Sequence, residues 1–298
     1  MISIGVDFGG TKIEAAALDA RGQFLSRLRA PNPGNYTAAI QTVCDLVART
    51  EEAAGEVGTI GIGTPGSISP HSGVMRNANT VWLNGRHLRE DLMRALGREV
   101  RMANDANCLA LSEALDGAAA GLSVTFGVII GTGCGGGLVV NGRLIEGANG
   151  VGGEWGHMPL PWPTADETPG PQCWCGKHGC LETWVSGSGF QHDYVRATGK
   201  KLDGSAIIEA ARIGQPDAVA ALDRYINRLG RSLAVICNIL DPDAFVFGGG
   251  LSNVTEIYEC LPAVIRQYVF ADVWIGKIVP AQWGDSSGVR GAARLWPI

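Results

Sequence analysis

The residues of this 298-residue chain that could do chemistry begin with Asn104-Asp105. The pair follows a short apolar run, Val100–Ala103, and precedes an Ala- and Leu-rich stretch, so the aspartate stands where a strand ends and a helix begins. Ligands of α/β proteins gather at such ends, and a carboxylate there can take a proton from a hydroxyl as it attacks a γ-phosphate. The same pair would also serve as a plain N-cap, for which Asn and Asp are preferred. His157, Cys173, Cys175 and Cys180, in the pattern Cys-x-Cys-Gly-x-x-Gly-Cys-x-Glu, offer an imidazole and three thiolates. That is a closed tetrahedral set suited to zinc. A disulfide or inert thiols are the alternatives; the clustering favours a metal in a structural role that fixes the loop. Glu154 and Glu182 flank the loop. Lone glutamates are usually solvated, but two tied to one metal loop can accept hydrogen bonds from several hydroxyls, which is what a sugar offers.

Glycine turns supply the second chemistry. Asp7-Phe8-Gly9-Gly10-Thr11-Lys12 puts a carboxylate at a strand end, then two glycines and a hydroxyl. Backbone N–H groups freed by glycine can point at phosphate oxygens, and Asp7 could hold a magnesium ion through water. Alone this could be a plain glycine hairpin. Gly131-Thr132-Gly133 repeats the arrangement in the second half, and Gly248-Gly249-Gly250 follows another apolar run and could pass along an adenine or ribose. Together the turns point to a nucleotide. The spacing is neither that of a P-loop nor that of the dinucleotide fingerprint. No His-Arg-Asp catalytic loop accompanies Asp7-Phe8-Gly9, so it is not a protein-kinase motif.

The elements that must position these residues can be read from periodicity. Strands are expected over 2–7, 12–18 and 23–29, then a helix over Tyr36–Ala54, a strand over Thr59–Gly63 and a helix carrying Leu88, Leu92 and Leu96. Val100–Ala103 leads into a helix over Ala106–Ala119. The pattern repeats: strand Val124–Ile130, a glycine turn to Gly137, strand Leu138–Val140 and the hairpin signal Asn141-Gly142. After an irregular region, Glu146–Cys180, helices resume; the clearest runs through Val219–Ile236 and stops before Pro242. Strand Ala244–Phe247, a helix from about Val254 to Tyr268 and a last helix Gly288–Leu295 follow. The repetition argues for two α/β domains facing each other across a cleft, 1–118 with 286–298 and 119–285.

The whole chain sets the limits. Charged residues are 18 % and the net charge is −5, which gives no reason to expect nucleic-acid or membrane binding. No apolar run approaches a membrane span, and Met1-Ile2-Ser3-Ile4 enters a strand without a basic leader, so a cytoplasmic location is expected. Cys44, Cys108, Cys134, Cys237 and Cys260 lie singly in apolar surroundings, as buried free thiols do.

In order and spacing, Asp7–Lys12, Asn104-Asp105, Gly131–Gly133, Glu154-x-Gly-His157, the cysteine segment with Glu182 and Gly248–Gly250 resemble the ROK family of sugar kinases and repressors, over nearly the full length. Pro65–Pro70 and Asn77–Gly85 are most similar to its bacterial fructokinases that also accept mannose. The resemblance implies an actin/hexokinase-like (ribonuclease H-like) fold with the active site in the interdomain cleft, and ATP- and magnesium-dependent transfer to a hexose, most readily fructose at its 6-hydroxyl. It implies that Asp105 is the base, that Asn79, Asn104, Glu154, His157 and Glu182 bind sugar, and that zinc sits on His157 and the three cysteines. His157 could touch both sugar and metal. A homodimer is expected, as is common in that family. The family's repressors carry an N-terminal helix-turn-helix; with the phosphate turn at Asp7 no room for one is expected. A glucose or N-acetylhexosamine kinase of the same family, and a non-catalytic sugar sensor, are the alternatives. A glycosidase using Glu154 and Glu182 would leave the glycine turns without a purpose.

Overall fold

In the computed structural model, which describes residues 2–296, the chain opens with β1 (Ser3–Phe8), β2 (Lys12–Leu18), β3 (Phe24–Pro31) and α1 (Tyr36–Ala54). It goes on through β4 (Thr59–Thr64), the short hairpin β5 (Ser67–Ile68) and β6 (Met75–Arg76), α2 (Leu88–Leu96), β7 (Val100–Asn104) and α3 (Asp105–Asp116). Then come β8 (Val124–Ile130), β9 (Cys134–Val140), β10 (Arg143–Leu144), α4 (Glu182–Val185), α5 (Gly187–Thr198), α6 (Gly204–Arg212) and α7 (Pro216–Leu240). The rest is β11 (Ala244–Gly248), α8 (Thr255–Tyr268), β12 (Lys277–Pro280) and α9 (Ser287–Ala293). Two five-stranded sheets result, in the orders β3-β2-β1-β4-β7 and β10-β9-β8-β11-β12. The chain divides into two compact units, one holding the residues up to Gly121, Gly137–Gly152 and those from Gln282 on, the other Leu122–Gly136 and Gly153–Ala281.

In the first unit β1 pairs antiparallel with β2 and parallel with β4, and β4 pairs parallel with β7. Its apolar alternation turns Ile4, Val6 and Phe8 into a core shared with Val43, Leu46 and Val47 of α1 and Leu88 and Leu92 of α2. Asn35 caps α1 by accepting from Ala38 N at 3.0 Å, and Gly55, at φ 73°, ends it in the left-handed conformation. Helix α9 packs backbone to backbone. A Cβ on Gly5 would lie 1.9 Å from the Val289 carbonyl oxygen, and one on Gly61 1.8 Å from that of Ala292. On its other side Gly291 meets the Cys108 carbonyl of α3 equally closely. Within the same unit the fully buried Glu113 accepts from Ala118 N, Gln282 N, Trp283 N and the Ser287 hydroxyl, all at 2.8–3.0 Å.

Segment 137–152 belongs to this unit, whereas the sequence assigned it to the second domain. Val139 and Leu144 pack on Ala110, Leu111 and Ala114 of α3, and Gly137 lies against that helix where a Cβ would meet the Ala106 carbonyl at 2.7 Å. The outermost positions of the expected first domain, Met1 and residues 297–298, lie outside the described residues.

In the second unit β8, β11 and β12 run parallel, and the amphipathic α7 buries Tyr225, Ile226, Leu229 and Leu233. Pro216 opens that helix, and Asp241, at φ 44°, closes it before Pro242. Strand β9 begins at Cys134, not at Leu138 as the glycine content suggested. Gly136 sits under Trp155 and Phe126, where a Cβ would be 2.8 and 2.9 Å from their rings, so the glycines serve close packing within a strand rather than a turn. Helices α5 and α6 lie where helices were expected after Cys180 but not delimited, and edge strand β12 was not expected. The caps of the two helices, Ser186 accepting from Gly189 N and Asp203 from Ala206 N, were the available signals. A buried ionic cluster ties the irregular loop to α7: Glu167 pairs with Arg228 and Arg231, Asp193 with Arg228 and Arg224, and Arg231 donates to the Pro161 carbonyl at 3.0 Å.

Candidate active site

Because β1, β4 and β7 run parallel, their carboxyl ends coincide: Asp7 pairs in register with Gly63, and Thr64 with Asn104. Asn104 caps α3, its Oδ1 accepting from Ala106 N at 2.8 Å, while its Nδ2 donates to the Gly66 carbonyl at 3.1 Å and holds the loop after β4. Asp105 is the exposed first residue of α3; its Oδ1 also accepts from Ala106 N. Asp7 stands half-buried near the end of β1. Burial, then the charges of Asp105 and Glu14, push its carboxyl up to about 6 against the smaller opposing pull of Lys12 and Arg29. A carboxyl held that high is one that a divalent cation would satisfy.

The turn Gly9-Gly10-Thr11 is braced by Asn32, whose Nδ2 donates to the Gly9 carbonyl at 2.8 Å and whose N–H donates to the Thr11 carbonyl at 2.9 Å. Thr80 Oγ1 lies 3.2 Å from where a Gly10 Cβ would be, and donates to Asn79 Oδ1 at 3.4 Å. Asn84 fixes that loop by bonding both the N–H and the carbonyl of Ala78. The first unit thus gathers Asp7, the glycine turn up to Lys12, Asn79, Asn104 and Asp105.

In the second unit the parallel pairing of β8 and β11 sets Gly131-Thr132-Gly133 beside Gly248-Gly249-Gly250. Gly249, at φ 86°, has no room for a Cβ, which would lie 2.6 Å from the Ile130 carbonyl. Gly187 N donates to the Gly131 carbonyl at 2.7 Å and the Ser188 hydroxyl to that of Thr132 at 2.9 Å, so α5 begins at the first turn. A cavity of about 630 Å³ opens here, lined by Gly131, Thr132 and Gly250 together with Ser188, Ser205 and Arg212 of α5 and α6. The N-termini of both helices border it, with Ser186 and Asp203 capping them. Arg212 is held bidentate by Glu256 at 2.7 and 2.9 Å. Sequence reasoning expected helices after Cys180 but did not place these two at this site.

His157, Cys173, Cys175 and Cys180 do converge, with their ligand atoms all within 4.8 Å of one another. Cys173 Sγ is 3.7 Å from His157 Nδ1, and the Cys175 and Cys180 sulfurs are 3.6 Å apart, too far for a disulfide. Ligands on a tetrahedron at the zinc–sulfur distance of about 2.3 Å lie roughly 3.8 Å apart, so the set fits. Burial, then the neighbouring thiols Cys175 and Cys173, push Cys180 up to about 12. The loop is shaped by Gly176 at φ 89° and by Cys173 N donating to the Lys177 carbonyl.

Glu182 opens α4, its Oε2 accepting from Cys134 N at 3.0 Å and its Oε1 from Trp174 Nε1 at 2.6 Å. Glu154 precedes the 3-10 turn Trp155–His157. Burial, then the charges of Glu182 and Glu154, hold the Cys134 thiol well above its ordinary value, so both carboxylates come to the start of β9. The imidazole of His157 faces Cys173 with Nδ1.

Carboxylates at parallel strand ends, glycine turns over a cavity and the cysteine loop belong together in one class of protein: the chain is a member of the ROK family, whose model matches residues 3–298, and is a sugar kinase of that family. It is 40 % identical over 296 residues to the N-acetyl-D-glucosamine kinases of Pectobacterium atrosepticum (98 % of this chain, 97 % of that one) and Yersinia enterocolitica (98 % of each). It is 39 % identical to an N-acetylgalactosamine kinase of a Shewanella species (98 % and 95 % covered). Among solved structures it matches the ROK hexokinase of Thermus thermophilus, with a TM-score of 0.88 at 33 % identity (98 % and 97 % covered). It also matches a Streptomyces griseus ROK glucokinase in complex with glucose and AMPPNP, with a TM-score of 0.79 at 29 % identity (99 % of each). The expected α/β, two-domain, hexokinase-like fold is therefore the observed one. The fructose preference read from Pro65–Pro70 and Asn77–Gly85 gives way, since these curated relatives are kinases of acetamido sugars.

Proposed function

We propose that the chain is an ATP-dependent N-acetylhexosamine kinase that phosphorylates the 6-hydroxyl of N-acetyl-D-glucosamine. What carries the substrate is the 40 % identity, over 98 % of the chain, to kinases of that sugar; Asp105 at the shared strand ends carries the chemistry. In this reading the Asp105 carboxylate accepts the proton of the attacking hydroxyl. Asn104 holds the loop after β4 in place beside it, and Asn79, Glu154, His157 Nε2 and Glu182 take sugar hydroxyls. Gly9, Gly10, Thr11 and Lys12 offer donors to phosphate oxygens, as do Gly131–Gly133; the cavity at Gly248–Gly250 takes the nucleoside. Bound magnesium would neutralise phosphate charge, with Asp7 holding its water. Zinc on His157, Cys173, Cys175 and Cys180 would be structural, since four protein ligands leave no open position. Unpaired thiols and ATP both suit the cytoplasm.

The test is ATP consumption coupled to a panel of N-acetylglucosamine, N-acetylgalactosamine, N-acetylmannosamine, glucose, mannose and fructose. N-acetylglucosamine should give the highest kcat/KM. A fructose value above it would refute the substrate assignment.

A further inference from the structure

Trp174 stands between Cys173 and Cys175 with 65 % of its surface exposed, where an indole gains little from hydrophobic burial. It is nonetheless engaged at its edge and its face. The Nε1–H donates to Glu182 Oε1 at 2.6 Å, and the ring meets that of His157 edge to face, centroids 4.9 Å apart at 84°. The other Glu182 oxygen accepts from Cys134 N, directly after the Gly131–Gly133 turn, and a Cβ on Gly133 would come within 2.9 Å of it. A carboxylate has about four lone-pair sites. One donor on each oxygen fixes the plane of the group and leaves the other pair free for hydroxyls.

We propose that Trp174 is a positioning residue for the hexose. With Cys134 N–H, its indole N–H locks Glu182 so that the remaining lone pairs face the sugar, while its ring sets the angle at which His157 turns Nδ1 to the cysteines and Nε2 to substrate. The inference rests on the sugar-kinase reading of Glu182 and His157. The terminal torsion of a glutamate is broad and twofold. Without the indole the sugar itself must immobilise the carboxylate, a loss felt equally in the ground and transition states, which raises KM and spares kcat.

Trp174→Phe keeps a ring against His157 and removes the donor; Trp174→Gln restores an N–H donor without the ring. With N-acetyl-D-glucosamine and magnesium–ATP, Trp174→Phe should raise the sugar KM about 10- to 100-fold, the range of a hydrogen bond to a charged group. Its kcat and ATP KM should stay within about threefold, and Trp174→Gln should recover part of the sugar KM. Zinc content and thermal midpoint should match the parent protein in both variants. An unchanged sugar KM in Trp174→Phe overturns the proposal. So does a parallel fall in kcat and kcat/KM, or a loss of zinc, either of which would make the residue structural. Should the parent protein consume no ATP with any hexose of the panel, it is the sugar-kinase reading that fails, and that result needs no variant.

Discussion

Replacing Glu167 by glutamine should destabilise the second unit by an amount that vanishes in acid. Glu167 is 7 % exposed. Its Oε1 accepts from Arg228 Nε at 2.7 Å and Arg231 Nη2 at 2.9 Å, and its Oε2 from Arg231 Nη2 and Thr164 N at 3.0 Å. Burial pushes the carboxyl up, but the bonds from Arg228, the Thr164 N–H and Arg231 outweigh it and bring it from 4.5 to about 2. At about 1.4 kcal/mol per pH unit, that depression amounts to roughly 3 kcal/mol of stability. The folded value is the lower one, so the contribution is whole above the unfolded value of 4.5 and is lost as pH falls toward about 2. Glutamine turns an N–H2 toward arginine donors and leaves two guanidiniums short of a counter-charge. Removing one partner of a buried pair costs about 3–5 kcal/mol; Asp193, 2.8 Å from Arg228, keeps the cost near the lower figure. Urea denaturation near neutrality should show a loss of about 3 kcal/mol in Glu167→Gln, shrinking steadily below about pH 4. A loss under about 1 kcal/mol at neutrality, or one that stays constant to about pH 2, would refute the reasoning.

Asp105→Asn cannot accept the hydroxyl proton and should lower kcat by about 10²- to 10⁴-fold with sugar KM little changed; turnover within tenfold of the parent would sink the base assignment. Magnesium binding, followed by calorimetry, should weaken as pH falls through about 6, because the raised Asp7 carboxyl takes up a proton there; equal affinity on both sides of that value would count against Asp7. Cys180→Ala should leave freshly purified protein without stoichiometric zinc and with a lower thermal midpoint, and retained zinc would remove Cys180 from the ligand set. Gly61→Ala places a methyl 1.8 Å from the Ala292 carbonyl and should cost at least about 1–3 kcal/mol in thermal unfolding; a midpoint equal to the parent's would mean that α9 can lift at no expense.

Sequence reasoning reached furthest where chemistry and local geometry coincide. The convergence of His157, Cys173, Cys175 and Cys180 was legible in the sequence because the three cysteines share one compact loop. The Asn104 cap and the register of Asp7 with Gly63 follow from strand ends that the apolar runs delimit. Glycine misled at β9, since a missing side chain can mean a turn or a tight contact, and only Trp155 and Phe126, distant in sequence, decide which. Helices α5 and α6 are short, and the stretch after Cys180 was read as helical without bounds although Ser186 and Asp203 stand there as caps. The engagement of Glu182 by Trp174 and Cys134 depends on where three separate segments meet, which no spacing rule encodes.

The seat of α9 on β1 and β4 also has a bearing on synthesis. Strands β1, β4 and β7 leave the ribosome early, yet the helix whose backbone rests on Gly5 and Gly61 is made only after the whole of the second unit. At roughly 5–20 residues per second, the stretch from the end of β7 to the start of α9 takes on the order of 10–40 s to translate. For that time the strand face around Gly5 and Gly61 is without its cover, and by its end the second unit has all of its residues. The nascent chain therefore completes its later unit first and its earlier one last.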